Sequence, residues 1–259
     1  MSETVLVERV GALAIFTLNA PSRRNALSTE MRIALRDRFR DITLDPDLRA
    51  VVIEGAGGSF CSGGDISEMV SAVEEPAYAA FRLGILQDVI RHVVGGARPV
   101  VAAVEGAAAG AGLSLAMASD YVVVAENARF TVSFVHVGLG ADCGLQFTLA
   151  NRVGATRARR MIVLGETLDA TEAARLGMVD EVVPPGGARA AAIAVAERLA
   201  LRAPLSVAAT KVAFARGAGS LEEALALEMD MFARLASTRD HEEAKAAFLA
   251  KRPPRFTGR

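Results

Sequence analysis

The stretch PVVAAVEGAAAGAGLSLAMASDYVVVAENARF, residues 99–130, decides the fold class. PVVAAVEG is a short apolar run that ends in a glycine, the pattern of a strand buried on both faces. AGAGLSLAMAS opens with small residues and reads as the start of a helix. DYVVVAEN is a second buried strand, and ARFTV, 128–132, a further short one. Strand, glycine-rich turn, helix and strand together make the crossover unit of an α/β fold, which is right-handed.

The same logic extends outward. TVLVERV (4–10) and ALAIFTLN (12–19) flank Gly11 and predict a β-hairpin. Residues 29–43 place Met31, Ala34, Leu35, Phe39 and Ile42 at helical spacing. RAVVIEG (49–55) is a buried strand that runs into the glycine-rich GAGGSFCSGGDI (55–66). Residues 77–94 predict a helix with Phe81, Ile85, Val89 and Val93 on one stripe. After MVDEVVPPGG (178–187) the character changes, and residues 187–251 are almost entirely helix-like. The chain therefore divides into a core, 1–186, and a C-terminal helical region, 187–259, read as three helices. Ser220 with Glu223, and Asp240 with Glu243, predict capping boxes. Leu221, Leu225, Met229, Phe232 and Leu235 predict a packed core stripe, with a subunit contact as the alternative.

Composition narrows the function classes. Of the 259 residues 52% are hydrophobic, which supports a large core, and the net charge of −1 gives no one-signed field for nucleic acid or an anionic membrane. The first residues lack the basic-then-apolar order of a signal peptide. The uncharged run Gly106–Ser119 is too short to span a bilayer. Neither nucleic acid nor a membrane is expected as a partner. Two cysteines, Cys61 and Cys143, make neither a disulfide framework nor a metal cluster, so a cytoplasmic location and no metal are expected.

Two strand-to-helix turns are candidate sites, SFCSGGDI (59–66) and EGAAAGAGLSLA (105–116). Free amides at a helix start attract negative charge, and small residues let a ligand atom approach them. Facing each other, two such turns can hold one oxygen between two N–H donors. Tight strand–helix packing explains the small residues equally well. Gly110 and Gly112 also suggest a relaxed dinucleotide fingerprint, but no strand ends in an acid about twenty residues on.

The chain resembles the crotonase superfamily of enoyl-CoA hydratases and isomerases. The resemblance runs through FTLNAPSRRNALS (16–28), GGSFCSGGDISEM (57–69), residues 99–130, VGLGADCGLQFTLANRVG (137–154), ATEAARLGMVDEVVP (170–184) and AFLAKRPPRFTGR (247–259). It implies a spiral of ββα units with a helical C-terminal trimerisation region, assembled as trimers or paired trimers. It also implies a coenzyme A thioester substrate and no separate cofactor. The thioester oxygen would receive the amides of Gly64 and Ala111. Arg24, with Arg23 beside it, matches the basic position near the coenzyme phosphates. Ser62, Asp65 and Ile66 match the segment around the adenine and pantetheine. Lys251 matches a basic residue that reaches a neighbouring subunit's coenzyme.

The resemblance also bears on the chemistry. Hydratases of the family use two acids, and the matching positions here are Ser114 and Phe134, which carry none. An acid that moves a proton in some isomerases matches Asp142. The ending and the GLGADCG loop look closest to phenylacetate-type isomerases. An isomerase is thus expected, with a hydratase or a non-catalytic acyl-CoA-binding subunit as alternatives. Phe134, Val135, Val137 and Leu139 would wall Asp142 with apolar surface and raise its pKa. Asp142 can instead cap the helix that begins near Gly144. His136 can reach the pocket or simply pack. Cys143 has no histidine placed beside it to make it a nucleophile.

Overall fold

The computed structural model describes residues 3–68 and 75–259. β1 (Val5–Val10) and β2 (Leu13–Leu18) form the expected antiparallel hairpin, with Gly11 left-handed at its turn. α1 (Thr29–Leu44) starts at Ser28, whose hydroxyl accepts the Met31 amide at 3.2 Å. Met31, Leu35, Phe39 and Ile42 are buried along it. β3 (Ala50–Gly55) then leads through the first glycine-rich turn to α2 (Pro76–Gly95). On α2, Ile85, Val89 and Val93 are buried as expected, but Phe81 is exposed and Arg82 takes the inward position beside them.

Residues 99–131 form β4 (Val100–Val104), β5 (Ala107–Ala109), α3 (Ala111–Ala118), β6 (Tyr121–Ala125) and β7 (Arg129–Thr131). After it come α4 (Leu145–Val153), α5 (Ala155–Leu164), β8 (Thr167–Asp169), α6 (Ala170–Arg175) and β9 (Glu181–Val183). The large sheet has the order β1-β2-β3-β4-β6-β9, and every pair except the hairpin is parallel. The small sheet has the order β5-β7-β8. Each repeat thus gives one strand to the large sheet and one to the small sheet, then a helix: β4-β5-α3 is followed by β6-β7-α4. This is the spiral of ββα units. The strand order of the large sheet never reverses, so it has no switch point of the kind that holds a dinucleotide, and the Rossmann alternative falls.

The central strand β4 is apolar throughout, and β3 and β6 nearly so, because both faces are covered. On one face Val100, Ala102 and Val104 join the side chains of α1, α2 and α3 in the main core. On the other, Val101 and Ala103 pack under Ala188, Ala192, Val195 and Ala196 of α7 (Ala188–Ala200). α8 (Pro204–Arg216), α9 (Leu221–Leu235) and α10 (Arg239–Leu249) follow, so the helical region has four helices and not three.

Two further expectations change here. The α9 stripe is not packed core: Leu221, Leu225, Met229 and Phe232 are all exposed, Phe232 by 69%. The capping box of α9 forms, with the Glu223 amide on the Ser220 hydroxyl. The second one does not. Thr238 caps α10 by accepting the His241 amide at 3.2 Å, while the buried Asp240 carboxylate accepts the amides of Thr257 at 2.7 Å and Gly258 at 2.8 Å.

Candidate active site

The two glycine-rich turns lie side by side. Cys61 pairs with Ala108, its amide on the Ala107 carbonyl and its carbonyl receiving the Ala109 amide, both at 2.9 Å. Gly112 and Gly63 make this approach possible. A Cβ on Gly112 would sit 2.5 Å from the Cys61 carbonyl oxygen. One on Gly63, at φ +102°, would sit 2.9 Å from the Ala109 oxygen. The small residues therefore serve close backbone contact and also leave two amides free.

Gly64 is one of these. Its pairing with Leu27 runs through the Gly63 carbonyl and the Asp65 amide, which leaves the Gly64 amide outside the ladder. Ala111 is the other. It is the first residue of α3, where an amide has no acceptor within the helix. Both residues line one cavity of about 70 Å³, together with Arg32, Ser62, Ile66, Phe134 and Asp142 among others.

Asp142 reaches this cavity from a loop held by α3. The buried Ser114 hydroxyl donates to the Asp142 backbone carbonyl at 3.1 Å and to the Gly110 carbonyl at 3.3 Å. α4 begins at Gly144 with no side-chain cap, so Asp142 is not a capping residue. Its Oδ1 is buried and has no hydrogen-bond partner among the described residues. Burial raises the Asp142 pKa, against smaller lowering effects from the Cys143 thiol and the Arg32 charge. A carboxylate in this state is a stronger base than one in water.

The rest of the expected set divides. Phe134, Val137 and Leu139 wall the cavity. Val135 and His136 turn away onto Gly165, with the His136 Nε2 3.0 Å from the Gly165 carbonyl oxygen, so His136 is not a pocket residue. Ser114 lies behind the cavity and not on its wall. Burial raises the Cys143 pKa strongly, Asp142 adding to it, and pushes the Cys61 thiol up to about 12. Neither thiol is a ready nucleophile.

The segment Pro21–Ser28 runs beside the first turn. The Ser62 amide donates to the Arg24 carbonyl at 2.9 Å, and Ser62 Oγ to the Arg23 carbonyl at 3.2 Å. Arg23 pairs with the buried Asp65 at 2.6 Å. Hydrogen bonding from Ser67 is the main reason the Asp65 pKa is lowered, and the Arg23 charge adds to it. Arg24 is exposed, in a left-handed conformation, and in no ion pair among the described residues. Ile66 is exposed at the cavity rim. Lys251 lies exposed beyond α10 and does not line this cavity.

Sequence reasoning missed Arg32. It is 6% exposed and lines the cavity, while its Nε donates to the Leu27 carbonyl at 3.0 Å and its Nη1 to the Arg82 carbonyl at 3.1 Å. Its signal in the sequence is slight: a basic residue beside Met31 and three before Leu35 shares their inward face.

An amide pair facing a buried base can stabilise the oxygen of an enolate while a proton moves on the adjacent carbon. Known proteins share this framework. The profile of the Enoyl-CoA hydratase/isomerase family matches residues 8–259. A 1,2-epoxyphenylacetyl-CoA isomerase of Escherichia coli K12 is 33% identical, and the match covers 100% of each chain. A 2,3-dehydroadipyl-CoA hydratase of the same organism is 34% identical, again over 100% of each. The crystal structure of an enoyl-CoA hydratase from Polaromonas sp. JS666 superposes with a TM-score of 0.91 at 36% identity, covering 97% of this chain and 99% of that one.

Proposed function

The chain belongs to the enoyl-CoA hydratase/isomerase family, and from that premise we propose that it is an acyl-CoA isomerase with Asp142 as its proton carrier. The observation that supports this reading most is the half-buried Asp142, whose Oδ1 is buried and unpartnered among the described residues, in one cavity with Gly64 and Ala111. The thioester oxygen of a 3-enoyl-CoA accepts the two amides. Asp142 removes a proton from the α-carbon, and the electron pair passes into a dienolate whose oxygen the amides stabilise. The Asp142 carboxylic acid returns the proton to the γ-carbon. The product is the conjugated 2-enoyl thioester, and the carboxylate is restored. One preorganised donor of this kind is worth about 3–4 kcal/mol in the transition state. No water is consumed, so one carboxylate is enough.

A hydratase is the second reading, and the hydratase names among the relatives favour it. Against it stand the two positions at which the resemblance implies acids. Phe134 has no proton to exchange, and the Ser114 hydroxyl is committed to two backbone carbonyls.

Purified protein given 3-enoyl-CoA and 2-enoyl-CoA separates the readings, because conjugation raises and hydration lowers thioester absorbance in the ultraviolet. Conjugation is expected, and D142N should slow it by about 10²–10⁴-fold, the usual worth of general acid–base catalysis. Fast hydration of crotonyl-CoA overturns the isomerase reading. Full isomerase activity in D142N overturns the role of Asp142. Thioester binding with no α-proton exchange in heavy water would make the chain a non-catalytic binder.

We also propose that the chain works as a homotrimer or a dimer of trimers. The exposed apolar residues of α9, with Phe214, Phe248 and Leu249 nearby in the helical region, support self-association.

A further inference from the structure

Arg32 poses a charge problem that the isomerase reading leaves unused. Of the five N–H groups of a guanidinium, two are spent on the Leu27 and Arg82 carbonyls. The others have no acceptor, and the group makes no ion pair, among the described residues. A second guanidinium, Arg82, is also buried, and its like charge acts on Arg32. The carboxylates of Asp142 and Glu68 both lie close enough for their charge to act on Arg32, and Glu68 is already engaged. It pairs with Arg82 at 2.9 Å and accepts the Thr29 amide at 2.9 Å and the Thr29 hydroxyl at 2.7 Å. Asp142 shares the cavity with Arg32 but makes no hydrogen bond to it.

A buried cation with no carboxylate in direct contact is costly, and such charges are ordinarily paired; Asp142 and Glu68 act on Arg32 only through their field. Here the cation keeps donors on the wall of a cavity that also holds the free amides of Gly64 and Ala111. We infer that the acyl group received here carries an anionic oxygen substituent, a carboxylate at the end of a short chain, and that Arg32 is the residue that receives it. The inference rests on the reading that this cavity takes the acyl group. Arginine suits the role, since its planar fork matches a carboxylate and its charge is not lost on burial. Ile66, Val137 and Leu139 offer only apolar contact to the rest of the chain. The substrate carboxylate would supply the direct ion pair that neither Asp142 nor Glu68 makes with Arg32, so the site discriminates against an uncharged chain by leaving those donors unmet.

The test uses 3-enoyl-CoA thioesters of equal length, one ending in a free carboxylate and one in its methyl ester. The wild-type protein should prefer the carboxylate in kcat/KM by tenfold to a hundredfold, on the order expected for a hydrogen bond to a charged group. Equal turnover of the two overturns the inference. R32M should bring the ratio to about one, and R32K should retain part of it. Because Arg32 also holds two backbone carbonyls, the wild-type ratio alone decides if these variants do not fold. Calorimetric binding of the saturated carboxyacyl-CoA and its methyl ester removes the dependence on chemistry. A binding preference without conjugation would sink the isomerase reading and keep this one. Conjugation without a preference would do the reverse.

Discussion

The Ser114 hydroxyl donates to the backbone carbonyl of Asp142 at 3.1 Å, so a residue at a position where the resemblance implies a hydratase acid anchors the loop that carries the candidate isomerase base. Ser114 is fully buried, and its second acceptor is the Gly110 carbonyl just ahead of Ala111. One hydroxyl thus ties the proposed base to the turn that bears a proposed oxyanion donor. S114A should cost about 1 kcal/mol of stability, since the Asp142 carbonyl keeps the Leu145 amide as a partner. For a chain of this size that is a fall of about 2–4 °C in Tm. The larger effect should be on kcat, severalfold downward with little change in KM, because the loop loses its position and not its contact with the thioester. An unchanged kcat in S114A would mean that the loop is held by other contacts.

The raised pKa of Asp142 predicts opposite trends in stability and activity. With the folded pKa above the ordinary 3.8, the folded state binds more protons than the unfolded chain as pH climbs past that value. The contribution of Asp142 to stability is therefore full below 3.8 and is lost as pH rises through the folded pKa. Activity moves the other way, since the base works only when ionised, and kcat/KM should rise over the same window. D142N has no such proton to lose. At neutral pH it should unfold at a higher temperature than the wild type, and the gap should close as pH falls toward 4. Parallel melting curves of the two proteins across pH check this, and a D142N protein less stable at every pH would contradict the burial argument.

These relationships were visible in the sequence to different depths. Local rules recovered the hairpin at Gly11, the helical period of α1, the cap of α9 at Ser220 and the two glycine-rich turns, 59–66 and 105–116, while Gly64 and Ala111 within them came from the resemblance. There the signal lies in a few adjacent residues: a period, a cap or a run of glycines. Asp142 could be placed only through resemblance, because a capping residue and a buried base look alike in one dimension. Arg32 was missed because a basic residue in a helix reads as solvated, and only the packing of α2 against α1 shows that it faces inward. Asp240 was misread because Asp-x-x-Glu imitates a capping box, whereas the residue it holds lies seventeen positions on, at Thr257. The α9 stripe was misread for a related reason. A helix packed on its own core and one facing another subunit carry the same apolar period.

That stripe predicts self-association. Leu221, Met229 and Phe232 lie on one side of α9, and each is more than two-thirds exposed in the single chain, at 71%, 69% and 69%. Apolar area of this extent on a soluble surface marks an interface. The double variant M229E/F232E should run as a smaller species in sedimentation, while the far-ultraviolet spectrum stays unchanged because α9 buries none of its residues in its own chain. A wild-type protein that sediments as a monomer at micromolar concentration would end the oligomer proposal.

The Asp240 carboxylate fastens the C-terminus. It accepts the Thr257 and Gly258 amides, and the Thr257 hydroxyl at 3.3 Å, while the Asp240 amide donates to the Arg259 carbonyl at 3.1 Å. Glu243 adds a second tie, taking both Nη groups of Arg252 at 2.6 and 2.9 Å and the Arg255 amide at 2.8 Å. Asp240 is buried, so its loss leaves the tail amides without acceptors in a place that water reaches poorly. D240A should cost about 1.5–3 kcal/mol, the range for hydrogen bonds to a charged group. It should also expose the bond after Arg255 to trypsin. D240N keeps one oxygen acceptor and sets an NH2 donor against the other tail amide, so it should fall between D240A and the wild type. The cap of α10 belongs to Thr238, which both variants leave intact, so helix content should hold while the tail is released. Limited proteolysis followed by mass spectrometry reads the cleavage after Arg255 directly, and equal trypsin resistance in D240A and the wild type would show that the tail is held elsewhere.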